Sequence, residues 1–316
     1  MKKPIQIGVS KCLLGDKVRW DGGHKKNSFI TNVLANYFEF ISFCPEVECG
    51  LPTPRETMRL EGDLESPQLI TNKTKKDLTQ HMQAYSTDKT QSLKSLNLCG
   101  LILKKDSPSC GLHRVKVYTS PVNSVRQGRG IFAATFSKAL PYLPMEEEGR
   151  LQDAALKENF LERVFCHHRW NEFLENNPTY KELVAFHTQH KLLIMSHSIA
   201  HYKYLGKLVA KSKEIDRDIL INDYYVKLMQ ALSIKATVRK HRNVLLHIMG
   251  HFKRFINEDE KAELLELINR FANGTAPLIV PLTLVNHYVR KYNIEYLSQQ
   301  YYLNSHPGEL MLRNNV

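Results

Sequence analysis

The sequence predicts an α/β N-terminal domain with a parallel sheet, followed by an all-α helical C-terminal domain. In the first half, short apolar runs alternate with segments of helical periodicity, as in proteins whose parallel strands are connected by helices. Beyond about Glu148 the apolar residues recur only at helical spacing. A length of 316 residues also favours two domains. We expect these domains at residues 1–160 and 161–316.

Three strands and three helices are predicted in the first half. The strands are short apolar runs at 5–9, 40–43 and 100–104. The helices have amphipathic or polar helical periodicity, at 29–38, 75–96 and 131–143. In the second half, Asn257 and Glu260 form the pattern of a capping box, Gly274 is a typical stop signal, and Pro281 can occupy the first turn of the next helix.

The composition favours a folded, cytoplasmic protein with no membrane partner. Hydrophobic residues make up 42% of the chain, which is ordinary for a globular protein. The N-terminus becomes polar too early for a signal peptide, and no run approaches the ~18 apolar residues of a membrane span. In a reducing compartment, the six cysteines are expected to serve metal binding, catalysis or burial rather than disulfides.

The charge distribution favours an acidic partner. The net charge is +12 and the pI is about 9.3. Between residues 186 and 254 there are thirteen Lys and Arg against four acidic residues, so most of the net charge lies in one stretch. If the partner is RNA, phosphate contacts would supply much of the affinity. The candidate RNA-binding residues are Lys191, Lys203, Lys207 and Lys211.

Three cysteines follow predicted strands at equivalent positions. Cys12 follows the first strand, Cys44 follows the second, and Cys110 lies shortly after the third. Ligands of an open parallel sheet bind outside the carboxyl ends of the strands, so three thiols separated by 32 and 66 residues can meet in one crevice. A three-thiolate metal site would keep one coordination position open for substrate.

Burial as small hydrophobic residues is the alternative for these cysteines. Their neighbours argue against it, because Ser10-Lys-Cys-Leu-Leu-Gly15, Cys44-Pro-Glu46 and Ser107-Pro-Ser-Cys-Gly111 place polar or turn residues beside each thiol. The spacing excludes a local ferredoxin motif or a zinc ribbon. Three thiolates can also hold zinc, and Cys49 is close enough to Cys44 in sequence to compete as a ligand.

These segments resemble the TudS-like thiouracil desulfidases. Besides the three cysteine motifs, the resemblance rests on Val18–Gly23, on Gly50–Arg55 and on Leu103-Lys104. It covers roughly the first 150 residues and implies a [4Fe-4S] cluster held by Cys12, Cys44 and Cys110, with one iron free. Cys49, Cys99 and Cys166 do not fall on ligand positions of the family pattern.

The helical half resembles the partner domain of uncharacterised function in RudS-type fusion proteins. The resemblance rests on Phe186–Lys191, on Ser196-His197 and on His201 with Tyr204–Gly206. Because such fusions are similar to tRNA 4-thiouridine desulfidases, the resemblance implies thiolated tRNA as the substrate. The residues themselves indicate only a basic helical module.

The implied chemistry is hydrolysis of a C=S bond. A thiocarbonyl sulfur is soft and suits an open iron, which makes the attached carbon more electrophilic towards water. Glu46 is the candidate base, since Pro45 fixes its direction relative to Cys44. Ser107 is the candidate proton relay, with Ser109 as its substitute.

Four residues beside the motifs are candidate substrate contacts. Arg19 and Asp21 lie in a glycine-containing loop suited to a base edge or a phosphate, although an ordinary turn is the alternative. Lys104 beside the third motif is a candidate contact to the RNA backbone, with a solvated surface as its alternative. Ser109 is the fourth candidate contact.

Four histidines share one helical stripe in the second half, at positions 187, 190, 197 and 201. His197 and His201 have the spacing of a metalloprotease helix, but Ser198 and Ile199 replace the expected glutamate. We therefore expect hydrogen bonding or phosphate contacts from these histidines and no second metal.

Three functions agree with these patterns. The first is a desulfidase that converts 4-thiouridine in tRNA to uridine with release of hydrosulfide. The second is a desulfidase of free thiouracil or thiouridine. The third is a non-catalytic RNA-binding or iron–sulfur sensing regulator. The sequence does not indicate the oligomeric state.

Overall fold

The computed structural model describes residues 4–120, 122–304, 307 and 313. It divides into two compact units, residues 1–152 and 153–316. This division falls a few residues before the boundary expected from the sequence. Asp153 begins the second unit as the cap of a long helix, since its Oδ1 accepts a hydrogen bond of 2.9 Å from the amide of Leu156.

The described part of the first unit contains eight strands and three α-helices. In chain order they are β1 (Ile5–Ser10), β2 (Phe38–Phe43), α1 (Pro45–Glu48), β3 (Met58–Glu61), β4 (Gln68–Thr71), α2 (Thr79–Lys94), β5 (Gly100–Leu103), β6 (Val115–Tyr118), β7 (Ser124–Gly128), α3 (Ile131–Ala139) and β8 (Met145–Glu147).

The first sheet is parallel, with the strand order β2-β1-β5-β8. Ile7 of β1 pairs with Phe40 on one side and with Gly100 on the other. The predicted fold class is therefore confirmed for this unit. Gly8 allows close packing here, because a Cβ at this position would lie 3.1 Å from Leu101 and 3.2 Å from Phe43.

The second sheet is mixed, with the order β4-β3-β6-β7, and the sequence analysis did not predict it. β3 and β6 are parallel, whereas both outer pairs are antiparallel. Its strands have only four or five residues, which is too short for a clear period-2 pattern. Leu60 and Val117 face inwards and pack with Met82 of α2 in an apolar cluster.

The predicted helix at 29–38 is wrong as a single α-helix. The segment forms a π-helical turn at Phe29–Val33 and a 3₁₀ turn at Leu34–Asn36, and Phe38 already belongs to β2. Thr31, Asn32 and Val33 have low helix propensity, and the Thr31 hydroxyl donates to the backbone carbonyl of Asn27. Local side-chain bonding therefore competes with a regular helix here.

The second unit is helical throughout its described residues, as predicted. Its helices are α4 (Ala154–Glu175), α5 (Tyr180–His197), α6 (Ile199–Ala210), α7 (Arg217–Ser233), α8 (Val238–His251), α9 (Glu258–Ala272), α10 (Ile279–Lys291) and α11 (Glu295–Ser298).

The predicted capping box is present at the start of α9. Asn257 accepts from the amide of Glu260, whose carboxylate accepts from the amide of Asn257. In the described part of the chain, no helix combines the length and the apolar character needed to cross a bilayer.

Candidate functional site

The three cysteines of the sequence motifs lie at one edge of the first sheet. Cys12 sits in a 3₁₀ turn directly after β1, and Cys44 follows β2 as the N-cap residue of α1. Cys110 follows β5 by seven residues, at the end of a turn. Since β1, β2 and β5 are adjacent and parallel, their carboxyl ends share this edge.

A cavity of about 350 Å³ opens at this edge. Cys12, Cys44 and Cys110 all line it, together with Glu46 and Ser107. This volume lies within the ordinary range of small-molecule sites. The structure thus brings the three thiols, the candidate base and the candidate relay into one pocket.

The loop that carries Cys110 is held tightly against α3. The Ser107 hydroxyl accepts hydrogen bonds from the amides of Ser109, at 3.2 Å, and of Cys110, at 3.1 Å. A Cβ on Gly111 would lie 2.7 Å from the Ser107 carbonyl oxygen, and one on Gly130 would lie 2.9 Å from the Cys110 amide nitrogen. Only glycine permits these approaches, so both glycines fix the position of the third cysteine.

Glu46 is bonded through both of its carboxylate oxygens. Oε1 accepts from the hydroxyl of Ser109 at 2.9 Å and from that of Ser107 at 3.4 Å. Oε2 accepts from Nε of Arg55 at 2.9 Å and also from its Nη2 group. The carboxylate is therefore held in one orientation on the cavity wall.

Arg55 also lines the cavity, and it was not singled out from the sequence as a functional residue. Its side chain is buried, and its Nη2 group also donates to the carbonyl of Val18 at 3.0 Å, while its amide donates to the carbonyl of Trp20 at 2.8 Å. Arg55 thus connects the loop after Cys12 with Glu46. It ends the Gly50–Arg55 motif, which was the only available signal.

Arg19 lines the cavity, whereas Asp21 does not. Asp21 instead bonds the amide of Gly23 at 3.0 Å and forms an ion pair with Arg19. The hydrogen bond from Gly23, followed by those from Arg19, lowers the pKa of Asp21. Asp21 is exposed and bonds within its own loop, so the structure does not place this candidate substrate contact in the cavity.

Lys104 lines the cavity but its ammonium is engaged. Nζ forms an ion pair of 2.5 Å with Glu148 and donates to the carbonyl of Lys105 at 3.0 Å. The backbone amide of Lys105 donates to Glu148 at 2.8 Å. Among the described residues, no carboxylate pairs with the ammonium of Lys105 or with that of Lys25, and both residues also line the cavity. These two ammonium groups are better placed than Lys104 for an anionic ligand, and Lys25 was not singled out from the sequence. Ser109 is fully buried and lies behind the wall.

The three thiols occupy a partly dehydrated setting. Burial raises the pKa of Cys12 to about 11, and burial likewise raises the pKa values of Cys44 and Cys110. The neighbouring thiol of Cys44 raises the pKa of Cys12 and of Cys110 further. Three such groups ionise together only when a cation lies among them, so this donor set fits a metal centre.

No fourth cysteine or histidine occurs among the described residues that line the cavity. Three protein donors would leave one position of a bound metal group open. In the described part of the chain, no three His, Cys, Asp or Glu side chains are grouped so as to hold a single metal ion.

The other three cysteines lie outside the cavity. Cys49 is buried in the apolar cluster beneath the second sheet, and its thiol donates to the carbonyl of Glu46 at 3.2 Å. Cys99 precedes β5 and so lies at the opposite end of that strand from the cavity. Cys166 is buried in α4 of the second unit.

The candidate RNA-binding lysines occupy α5, α6 and the end of α6. Lys203 and Lys207 are exposed one turn apart on α6, and Lys211 is exposed at its C-cap. The ammonium of Lys191 on α5 lies 4.6 Å from the ring centroid of Tyr296. Three of the four candidates therefore present their charge to solvent.

The four histidines of the predicted helical stripe each form their own hydrogen bonds within the second unit. The partners are Tyr224 for His187, the Phe186 carbonyl and Arg169 for His190, Glu162 and the Ile234 carbonyl for His197, and Ser198 for His201. Their side chains serve the packing of the helices.

Two known protein families match separate parts of the chain. Residues 7–148 match the sequence profile of the family described as 2-thiouracil desulfurase, and residues 191–307 match a protein family of unknown function, DUF1722. The chain therefore belongs to the proteins in which a 2-thiouracil desulfurase domain is joined to a helical DUF1722 domain. The resemblance stated from the motifs is confirmed.

Three relatives illustrate the two domains. The uncharacterized protein YbgA of Escherichia coli (strain K12) is 32% identical over 154 residues, which are 48% of this chain and 91% of that protein. The uncharacterized protein YbbK of Bacillus subtilis (strain 168) is 29% identical over 138 residues, 42% of this chain and 90% of that protein. The solved structure of the [4Fe-4S]-dependent thiouracil desulfidase TudS is 28% identical, covers 48% of this chain and 94% of its own, and has a TM-score of 0.40.

Proposed function

We propose that this protein is a [4Fe-4S]-dependent desulfidase that converts 4-thiouridine in tRNA to uridine with release of hydrosulfide. One observation carries the proposal: Cys12, Cys44 and Cys110 line a single cavity, with Glu46 and Ser107 on the same wall. The family membership of residues 7–148 and the activity named for TudS support it.

Cys12, Cys44 and Cys110 would hold the cluster. When bound, the cluster supplies an open, soft Lewis-acidic iron that suits a thiocarbonyl sulfur. Each of the three cysteines would supply one thiolate to the cluster. The remaining steps are assigned to side chains of the protein.

Glu46 accepts a proton of the attacking water, and Ser107 relays it. Ser107 lines the cavity and its hydroxyl points to Oε1 of Glu46 at 3.4 Å, so a proton taken from water passes through Ser107 to Glu46. The water oxygen bonds to the carbon while C=S becomes a C–S single bond. When that bond breaks, the proton of the added hydroxyl moves to sulfur, which leaves as hydrosulfide, and the carbon keeps a C=O bond. The reaction is a hydrolysis, because no electrons are exchanged with an external reagent.

The helical unit is assigned to tRNA. Its exposed lysines, Lys203, Lys207 and Lys211, together with Lys191, provide a cationic surface for phosphate groups. The arrangement of α6 supports this role, since Lys203, Lys207 and Lys211 recur at one-turn intervals along this helix and its C-cap.

A desulfidase of free thiouracil or thiouridine is the second candidate. The cavity of about 350 Å³ favours it, because this volume accommodates a single pyrimidine without any contribution from the helical unit. In that case the helical unit would serve folding or assembly.

The test combines composition and activity. Anaerobically purified protein should contain iron and sulfide rather than zinc. It should release hydrosulfide from thiolated tRNA with a higher kcat/KM than from free 4-thiouracil. Higher activity on the free base would assign the second candidate, and zinc without iron would reject the cluster. Iron and sulfide without activity on either substrate would instead assign an iron–sulfur sensing regulator.

A further inference from the structure

A second cavity, of about 180 Å³, adjoins the first in the N-terminal unit. Met58, Asp106 and Pro108 line both cavities, so the two share a boundary. The second cavity also has Asn72 and, on the strands β3 and β6, Arg59, Lys116 and Tyr118 in its wall. A ligand in the second cavity would therefore lie next to one in the first.

The pleat of the second sheet explains which side chains reach this cavity. Leu60 of β3 pairs with Val117 of β6, and both are fully buried in the apolar cluster beneath the sheet. Side chains alternate between the two faces of a strand, so Arg59, Lys116 and Tyr118 project from the opposite, outer face. The side chains of Arg59, Lys116 and Tyr118 thus form the polar part of the cavity wall, and Leu60 and Val115 also line it.

The outer face combines an aromatic ring with two cations. The guanidinium carbon of Arg59 lies 4.4 Å from the ring centroid of Tyr118, and the ammonium of Lys116 lies 5.6 Å from it. Glu61 accepts a hydrogen bond of 2.5 Å from Arg59. For Lys116, no acidic partner is found within the described residues, so its charge is available to an anion.

A polar link joins this face to the first cavity. Nδ2 of Asn72 donates to the hydroxyl of Thr57 at 2.7 Å, and Thr57 lines the first cavity. The Oδ1 atom of Asn72 is buried without a hydrogen-bond partner. If the amide is rotated by half a turn, the other amide atom is left unpaired instead.

We propose that the second cavity is a subsite for the nucleotide next to the thiolated one in a single-stranded polynucleotide. The neighbouring base stacks on the Arg59–Tyr118 pair, and its phosphate contacts Lys116. Aromatic and guanidinium planes with adjacent cations are the usual recognition elements for unpaired bases. The inference rests on the proposed desulfidase function and defines its substrate as an unpaired polynucleotide segment.

Two variants and two matched controls of the full chain test this subsite. Tyr118→Leu removes the ring, whereas Tyr118→Phe keeps it. Lys116→Gln removes the free charge, whereas Lys138→Gln removes an equally exposed charge from α3 of the same unit, outside both cavities. Short probes are needed so that the helical unit does not dominate binding.

The first measurement is independent of catalysis. The affinity of each protein for unmodified tetrauridylate is measured at low salt. Loss of one stacked base or one phosphate contact should weaken it about tenfold in Tyr118→Leu and Lys116→Gln, and leave it as in the parent in Tyr118→Phe and Lys138→Gln. A parent that binds tetrauridylate no better than an acidic peptide of equal charge would assign the face to a protein partner and overturn the inference.

The second measurement uses a dinucleotide that contains 4-thiouridine, and free 4-thiouracil. The kcat/KM for the dinucleotide, divided by that for free 4-thiouracil, should be about tenfold lower in Tyr118→Leu than in the parent. An unchanged ratio, with desulfidation intact, would overturn the subsite alone. Absence of desulfidation in the parent would instead reject the proposed function, and the tetrauridylate affinities would still decide whether the subsite exists.

Discussion

Arg55 donates two hydrogen bonds to a single oxygen of Glu46, through its Nε and Nη2 groups. The pair lies on the cavity wall, where the side chains of Arg55 and Glu46 are only 5% and 15% exposed. The other oxygen of Glu46 is thereby left to the hydroxyls of Ser107 and Ser109. Arg55 is accordingly a positioning residue for the candidate base.

Replacement of Arg55 by lysine should separate charge from geometry. Lysine keeps the positive charge but cannot donate two bonds in a fixed plane, so Glu46 loses its orientation. We expect kcat to fall about tenfold, because a misplaced base forfeits part of its contribution. Measurement of kcat and iron content checks this. Arg150→Lys, at an ion pair with Glu146 away from the cavity, is the control and should keep the parent kcat.

Removal of one cavity cysteine should abolish the metal centre. Cys12→Ala, Cys44→Ala and Cys110→Ala should each lose the cluster and activity, because a three-thiolate site cannot spare a ligand. Cys99→Ala and Cys166→Ala should retain both, since these thiols lie outside the cavity. Iron and sulfide content after anaerobic purification measures the outcome. Full cluster content in Cys110→Ala would contradict the ligand assignment.

Glu46→Gln should keep the cluster and lose activity. The amide cannot accept the proton, so desulfidation should decrease by about 10²-fold or more. It also leaves the buried Arg55 without its counter-charge, so the melting temperature should fall as well. Iron content, turnover across pH and thermal unfolding are measured together. Near-parental turnover at every pH would make Glu46 a structural residue.

The lysines of α6 predict a salt dependence of tRNA binding. Affinity should fall steeply as salt rises, and the log–log slope should become shallower by roughly one for each phosphate-contacting cation removed. The triple variant Lys203→Ala, Lys207→Ala, Lys211→Ala is compared with the triple variant Lys261→Ala, Arg270→Ala, Arg290→Ala, which removes equal charge from α9 and α10. Superimposable binding curves for the α6 variant and the parent would remove these lysines from the RNA contact.

His187 should make the helical unit less stable in acid. Burial, followed by the nearby charge of Lys191, lowers its pKa to about 4. Between this value and the usual 6.5 the unfolded chain binds a proton that the folded chain does not, so stability rises with pH through that window. His187→Gln should remove roughly 2 kcal/mol of the stability lost between pH 7 and pH 5.

Urea unfolding at the two pH values measures this difference. His187→Gln keeps a hydrogen-bonding group opposite Tyr224, and exposed His247 provides the matched control, His247→Gln. Equal pH dependence of the His187→Gln variant and the parent would show that His187 is not the titrating group.

The position of the three cysteines at one edge of the first sheet was predictable, because each cysteine motif follows a recognisable strand. Strand periodicity and the rule for parallel sheets together placed Cys12, Cys44 and Cys110 at one edge without any knowledge of distances. Arg55 was not predictable in the same way. Its partner Glu46 lies nine residues earlier, and nothing in that spacing shows that the intervening chain turns the guanidinium back towards the carboxylate.

The second sheet escaped prediction for a different reason. Strands such as Met58–Glu61 and Val115–Tyr118 contain only two inward positions each, and their partners are distant in sequence. For Lys104, the sequence did not reveal the ion-pair partner of the ammonium group. Its position beside a motif suggested an RNA contact, but its ammonium forms an ion pair with Glu148, which lies forty-four residues away in the sequence.

The two sheets of the first unit are built from different segments of the chain. The cysteines follow strands of the parallel sheet, whereas β3 and β4 lie within the segment between Cys44 and Cys110 and form half of the mixed sheet. That segment departs from the cysteine edge and returns to it. The outer face of the mixed sheet can therefore be substituted without any change in the strands that precede the three cysteines.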